Sequence, residues 1–312
     1  MKHWKIYNSN LVDRIVRFWD FSYLESWDED LRMMNIRKNG RPFKFPSKFI
    51  LFLALGKVAF GRSYRDMEAM LIGLRGLSRK IQVADYTTIF RRVETLVFQI
   101  NDRVPKKLLD EIRTGKAKVA IDSSGLSVTT RGEWLRYKHK EGRIWTRKGF
   151  VKIHIGVDVL RGTILGIEIT DEKASDNSAM PSITYQAMEI ANIGAMFGDG
   201  AYDAYRNYRE LDALGIKPVI KPRRTSKVLS DSFGYVAGRR STYVYEMKKH
   251  GYDYWRRKHN YGWRWLVEVA FSSFKRRFGE SMMSKKFPNM VKEAKLKALA
   301  YNMITDWPRG WK

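Results

Sequence analysis

At Lys116 the chain changes from helical to strand-like periodicity, and this switch limits the available folds more than any other feature. The runs KVAIDSSGL, GFVKIHIGVDV and GTILGIEITD read as three consecutive strands, bounded by GEW, KEGR and the turn LRG. Strands joined in this succession form an antiparallel meander. A helix, SAMPSITYQAMEIANIG, follows, then a short strand AMFGDGAYD, a helix AYRNYRELDALG ended by Gly215, and a strand KPVIKPR. The expected fold class is therefore α/β, a mixed sheet of three antiparallel strands and then parallel strands. Two terminal helices, around Gly262 to Phe278 and Val291 to Ile304, are placed to cover it. Between about Arg223 and Asn260 the text is basic and aromatic, as in KPRRTSK, AGRR and KKHGYDYWRRKHN, and reads as a small insertion or a loop wrapping a partner.

Upstream, from about residue 10 to residue 101, apolar residues recur with helical spacing. PSKFILFLALGKVAF, SYRDMEAMLIGLRG and DYTTIFRRVETLVFQI form short helices in a compact all-α unit, the last opened by Asp85 as N-cap. The last two fit a helix-turn-helix as well as they fit a plain small bundle. In the first case Thr87, Thr88, Arg91 and Arg92 stand near the start of the second helix, where base edges or phosphates are met.

Lys and Arg number 59 against 33 Asp and Glu, a net charge of +26 in a chain that is 44% hydrophobic. A globular protein with that excess points to a polyanion, nucleic acid before an acidic membrane. The longest apolar run, FILFLALGKVAF, is too short to span a bilayer and carries Lys57. The start, MKHWKIYNSN, lacks the apolar stretch of a secretory signal, so a cytoplasmic setting is expected. With no cysteine, disulfides, thiolate catalysis and cysteine-ligated zinc are excluded.

Metal-dependent phosphoryl transfer needs carboxylates from separate segments, because Mg²⁺ takes oxygen ligands and a metal pair clamps both attacking and leaving oxygens. Three acids fit such a plan. Asp122 ends an apolar run in what is expected to be the central strand of the meander. Asp199 sits between glycines at the carboxyl end of the next parallel strand, where α/β sheets bind ligands. Glu268 lies in YGWRWLVEVAFSSFK, where Val267, Ala270, Phe271, Phe274 and Phe278 form the apolar face of a helix. Tyr261, Arg264, Glu268 and Lys275 run together along its edge, an arrangement that pattern alone reads first as a solvated Arg264–Glu268 pair. Asp158, Asp171, Asp176 and Asp203 read as turn or cap residues, with Asp203 capping the helix near Tyr205. His154 reads as a core histidine. Ser123 and Ser124 have no histidine base in a recognisable arrangement and read as loop residues near phosphate.

The strand order, the three acids and the spacing Tyr261, Arg264, Glu268, Lys275 resemble the DDE transposases of prokaryotic insertion sequences. The spacing is similar to the Y-x2-R-x3-E-x6-K signature of the insertion-sequence four and five group. IDSSG, GEWLRYKH before KIHIGVD, and GDGAYD leading to LGIKPVIKPR also look like this family. The resemblance implies a ribonuclease-H-like catalytic domain over residues 111–312, with the basic-aromatic insertion near 223–260, behind a helical DNA-binding region over 1–110. It implies that Asp122, Asp199 and Glu268 bind Mg²⁺ or Mn²⁺, two ions in all. Arg264 and Lys275 would neutralise phosphates, and Tyr261 would bond a phosphate or stack near a displaced base. Arg91 and Arg92 would contact terminal inverted repeats, and a homodimer would bridge two ends before strand transfer into target DNA. The protein would be associated with the nucleoid. Hairpin or other cleavage routes both stay open. So do a catalytically inactive DNA-binding regulator, a structure-selective nuclease of the same fold and a basic RNA-binding protein. Trp134, Trp145, Tyr252, Trp255 and Trp263 either stack bases or fill cores, with core packing expected for Trp145 and Trp263.

Overall fold

The computed structural model describes residues 2–78, 81–128, 150–228 and 234–305. Two compact units emerge: one of residues 1–103 with 277–279 and 286–304, the other of 104–276 with 280–285 and 305–312.

The first unit is helical. It contains α1 (Lys2–Val16), α2 (Trp27–Asn35), α3 (Ser47–Phe60), α4 (Tyr64–Leu77), α5 (Tyr86–Thr95) and the last helix, α12 (Phe287–Ile304). Helix α3 is apolar on all sides, as a helix in the middle of a bundle must be, and Phe49, Ile50, Leu53 and Ala54 have no exposure. It is enclosed by α4, α5 and α12. Lys57, the one charge in its apolar run, is also buried, with its ammonium 5.0 Å from the centre of the Tyr64 ring. Ser63 and Asp66 close a reciprocal capping box at the start of α4. Asp85 caps α5 as expected, accepting the N–H groups of Thr87 and Thr88. Residues 78–85 separate α4 from α5. Helix α12, expected to cover the sheet, packs instead on α3.

The second unit is built on a five-stranded sheet of order β3-β2-β1-β4-β5. After α6 (Lys106–Thr114) come β1 (Lys116–Ser127), β2 (Phe150–Asp158), β3 (Ile164–Asp171), α7 (Met180–Ile190), β4 (Asn192–Gly198), α8 (Tyr205–Ala213) and β5 (Lys217–Ile220). The pairs β1–β2 and β2–β3 are antiparallel, while β1–β4 and β4–β5 are parallel. This is the mixed sheet, three antiparallel strands and then parallel ones, that the alternation of segments implies. Within the meander the middle strand is β2; β1 becomes central only because β4 pairs along its other edge. Helix α7 lies on β2 and β3. It comes so close that a Cβ on Gly166 would stand 2.7 Å from the Ile183 carbonyl oxygen, and one on Gly156 2.5 Å from the Ile183 side chain.

The basic-aromatic stretch is largely helical from Gly234 onward, after turn and coil over 223–228. It forms α9 (Gly234–His250) and α10 (Tyr252–Lys258), with α9 packed on α8. The Tyr243 hydroxyl donates to the Pro218 carbonyl at 3.0 Å, and Trp255 is fully buried. Asp203 does not cap α8. Its carboxylate is buried, receives Arg240 Nε at 2.6 Å, the Arg223 N–H at 2.9 Å and the Ser226 hydroxyl at 2.7 Å, and so ties α9 to the turn after β4. The chain then passes through a 3-10 turn, Tyr261–Arg264, into α11 (Trp265–Phe278). Trp134, Trp145 and the segment GEWLRYKH lie outside the described residues.

Candidate active site

Parallel pairing between β1 and β4 runs as far as Ala120 opposite Phe197. Two residues further along each strand stand Asp122 and Asp199, so the same register sets the two acids level where β4 leaves the sheet. Beyond that point β1 continues beside β2, with Asp122 opposite Ile155. Ser123 and Ser124, expected in a loop, are therefore strand residues opposite His154 and Ile153. Asp199 ends β4 and caps a 3-10 turn, accepting the Ala201 N–H at 2.8 Å. Arg223 braces that turn from outside: its Nε and a terminal nitrogen donate to the carbonyls of Gly200 and Ala201 at 2.6 and 3.1 Å. The brace was not apparent in the sequence, where Arg223 is one cation among several in KPRRTSK.

The third acid arrives from α11. Val267, Ala270, Phe271, Phe274 and Phe278 are buried, as the apolar stripe requires, and Glu268 is exposed in the first turn. The helix proper begins only at Trp265, so Tyr261 and Arg264 do not share its edge. Tyr261 is buried against Trp255, ring centres 5.0 Å apart, and its hydroxyl donates to the Gly198 carbonyl at 3.3 Å. That contact fastens the 3-10 turn to the end of β4. Lys275 is half-buried two turns beyond Glu268.

Arg264 stands in the middle of the acids. One terminal nitrogen lies 2.9 Å from Asp122 Oδ2 and 3.7 Å from Asp199 Oδ2, while the other contacts Glu268 Oε1. The i,i+4 pair considered for Arg264 and Glu268 is thus present, and it extends to both other carboxylates. Burial pushes the Asp122 carboxyl up to about 6, with Asp199 and Glu268 adding to the rise and Arg264 and the Ser123 N–H opposing it. Burial pulls Arg264 down, but Asp122 and its other neighbours outweigh it and hold the guanidinium above its ordinary value. Tyr202, fully buried beneath these acids, has a hydroxyl without a hydrogen-bond partner.

The donor set fits a hard divalent cation: three carboxylates, one of them, Asp122, desolvated by burial. As they stand they are spread around a guanidinium, and among the described residues no three acidic or histidine side chains group tightly enough to close on one ion. The remaining acids are structural. Asp158 holds the β2–β3 turn with Arg161, Asp171 accepts the N–H groups of Lys173 and Ala174, and Asp176 pairs with Lys152 at 3.0 Å. His154 is buried and bonded through Nε2 to Thr170.

Other expected contacts divide. In α5, Arg91 is exposed, whereas Arg92 donates to the Phe45 carbonyl at 3.1 Å and lies 4.1 Å from the centre of the Phe43 ring. Trp263, expected in a core, is only half-buried; Lys118 lies over its ring at 5.0 Å, and it lines an open groove with Arg256, Arg257, Asn260 and Trp265. Among the described residues no helix is long and apolar enough to cross a membrane.

Acids from three separate elements thus stand around Arg264 where the parallel strands of a mixed sheet end, an arrangement whose chemistry suits metal-dependent phosphoryl transfer. Residues 113–303 match the family described as Transposase DDE domain, and residues 13–131 match a second family of the same description. The chain belongs to the DDE transposase domain family, and its activity is that of a transposase, cutting and joining DNA. Among solved structures it is similar to piggyBac transposase in a synaptic complex with hairpin DNA, at 9% identity and a TM-score of 0.44, covering 94% of this chain and 73% of that one. It is also similar to the Drosophila P element transposase strand transfer complex, at 13% identity and a TM-score of 0.28 over 64% of this chain and 47% of that one. A third similarity is to the Mos1 strand transfer complex, at 11% and 0.25 over 79% and 85%.

Proposed function

We propose that the chain is the transposase of an insertion sequence in the four and five group, and that it acts on the terminal inverted repeats of its own element and on target DNA. Asp122, Asp199 and Glu268 would hold Mg²⁺ or Mn²⁺. When bound, the metal supplies Lewis-acid polarisation of the scissile phosphate and a more acidic attacking water or 3′-hydroxyl. The chain's own residues position the phosphate and balance its charge. Arg264, at the focus of the site, and Lys275, further along α11, would meet phosphates on either side of the cut. Tyr261 and Arg223 would keep the Asp199 turn in place, one from the core and the other from outside. In the helical unit, Arg91 and the start of α5 would meet the repeat, as the second helix of a helix-turn-helix does, and Arg92 would hold that helix against the Phe45 carbonyl. A homodimer would bring two ends together.

The gathering of three carboxylates from β1, the end of β4 and α11 around one cationic group carries this reading. It is tested with DNA bearing the element's own ends and Mg²⁺. Asp122→Asn, Asp199→Asn and Glu268→Gln should each lower cleavage and strand transfer by about a hundredfold or more, with binding of the ends retained. Cleavage that survives Asp199→Asn would refute the assignment. Cutting of branched DNA that lacks the ends would favour the structure-selective nuclease.

A further inference from the structure

Arg264 is placed unlike a side chain waiting for a phosphate. It is mostly enclosed, with 17% of its side chain exposed, and two of its nitrogens face all three carboxylates. Its Nε is buried without a hydrogen-bond partner, so the planar fork of five N–H donors is only partly satisfied there. A guanidinium and a divalent cation satisfy the same oxygens through charge of the same sign, and the two cations repel each other at that range. Both therefore compete for one place. Among the described residues no three such acids close on one ion, and the guanidinium is the group that stands between these three.

We propose that Arg264 is the resident counter-cation of Asp122, Asp199 and Glu268, that a divalent cation has to displace it, and that DNA assists by offering the guanidinium a phosphate in exchange. This rests on the reading of the three acids as metal ligands. Its consequence is an order of events: metal binds weakly to the free protein and tightly to the protein on DNA. By linkage, metal raises affinity for DNA by the same factor. A DNA-cutting centre controlled in this way is loaded only where a phosphate is present. The backbone of Arg264 is fixed in the 3-10 turn by the bond from Tyr261 to Gly198, so the exchange is a swing of the side chain alone.

The test measures Mn²⁺ binding to the full chain by the electron paramagnetic resonance of the free ion, with and without a short DNA duplex. Arg264→Gln should bind Mn²⁺ on the order of tenfold more tightly than wild type in the absence of DNA, because a competing charge is gone. Duplex should tighten Mn²⁺ binding to wild type and leave the variant unchanged. Arg264→Lys, which keeps the charge but lacks the fork, should fall between the two and guards against a glutamine variant that does not fold. Equal or weaker Mn²⁺ affinity in folded Arg264→Gln without DNA overturns the exchange. Asp122→Asn separates the two levels of failure. If wild type and Arg264→Gln bind equally and both lose the ion on Asp122→Asn, the metal site stands and only the competition falls. If Asp122→Asn changes nothing, the metal site falls and takes the exchange with it.

Discussion

Asp122 shows how one residue sets the character of the site. Burial raises its carboxyl from an ordinary 3.8 to about 6. A carboxyl raised in the folded state binds its proton more tightly there than in the unfolded chain. Its contribution to stability is fully present below pH 3.8 and is lost as pH rises through about 6. The metal-free protein should therefore lose about 3 kcal/mol of stability across that window. Asp122→Asn should remove this part of the pH dependence and melt higher than wild type at neutral pH; denaturant titrations of both proteins at several pH values check it. The three acids stand out in the sequence because they interrupt apolar runs at strand and helix positions, and Tyr261 and Arg264 stand out by their spacing. Two features of their setting do not. The burial of Tyr261 depends on the chain entering α11 through a 3-10 turn, which moves the residue off the helical edge that a uniform 100° step implies. The brace from Arg223 depends on backbone carbonyls, which have no side-chain signature.

Among the elements, the strands were readable and the insertion was not. Strands β1, β2 and β3 are runs of Val, Ile and Ala buried on both faces, with polar turns between them, a pattern with few alternatives. Helix α9 buries Arg240, Ser241, Tyr243, Val244 and Glu246, so its inward side is largely polar and the hydrophobic period is hidden. Those charges are tolerable because each has a partner: Asp203 for Arg240, and Lys258 and His259, both at 2.6 Å, for Glu246. The fit of α7 to the sheet leads to a test at this scale. Gly166→Ala would drive a methyl group against the Ile183 backbone, which cannot move aside as the end of a side chain can. It should destabilise the protein by about 1–3 kcal/mol, measured as a lower urea midpoint with an unchanged slope.

For the molecule as a whole, the charge of +26 makes ionic strength the experimental variable with the widest reach. With six or more phosphates neutralised, affinity for any duplex should fall by about a thousandfold between roughly 50 and 200 mM salt. Fluorescence anisotropy across a salt series measures this, and a flat response would contradict a DNA path lined by surface cations. Charge and composition indicated a polyanion from the start, whereas the place of α12 among the amino-terminal helices could not be seen until long-range packing was known. The approaches to α11 are held in two places. Before it, Tyr261 hangs from the carbonyl at the tip of β4; after it, the Glu280 carbonyl and the Met282 N–H bond to Ser127 at the far end of β1, each at 2.8 Å. A rod moored at bow and stern does not slide. The distance that Glu268 spans must come from its own methylene groups, and an aspartate there would be one carbon too short, with no drift of the helix to make up the gap.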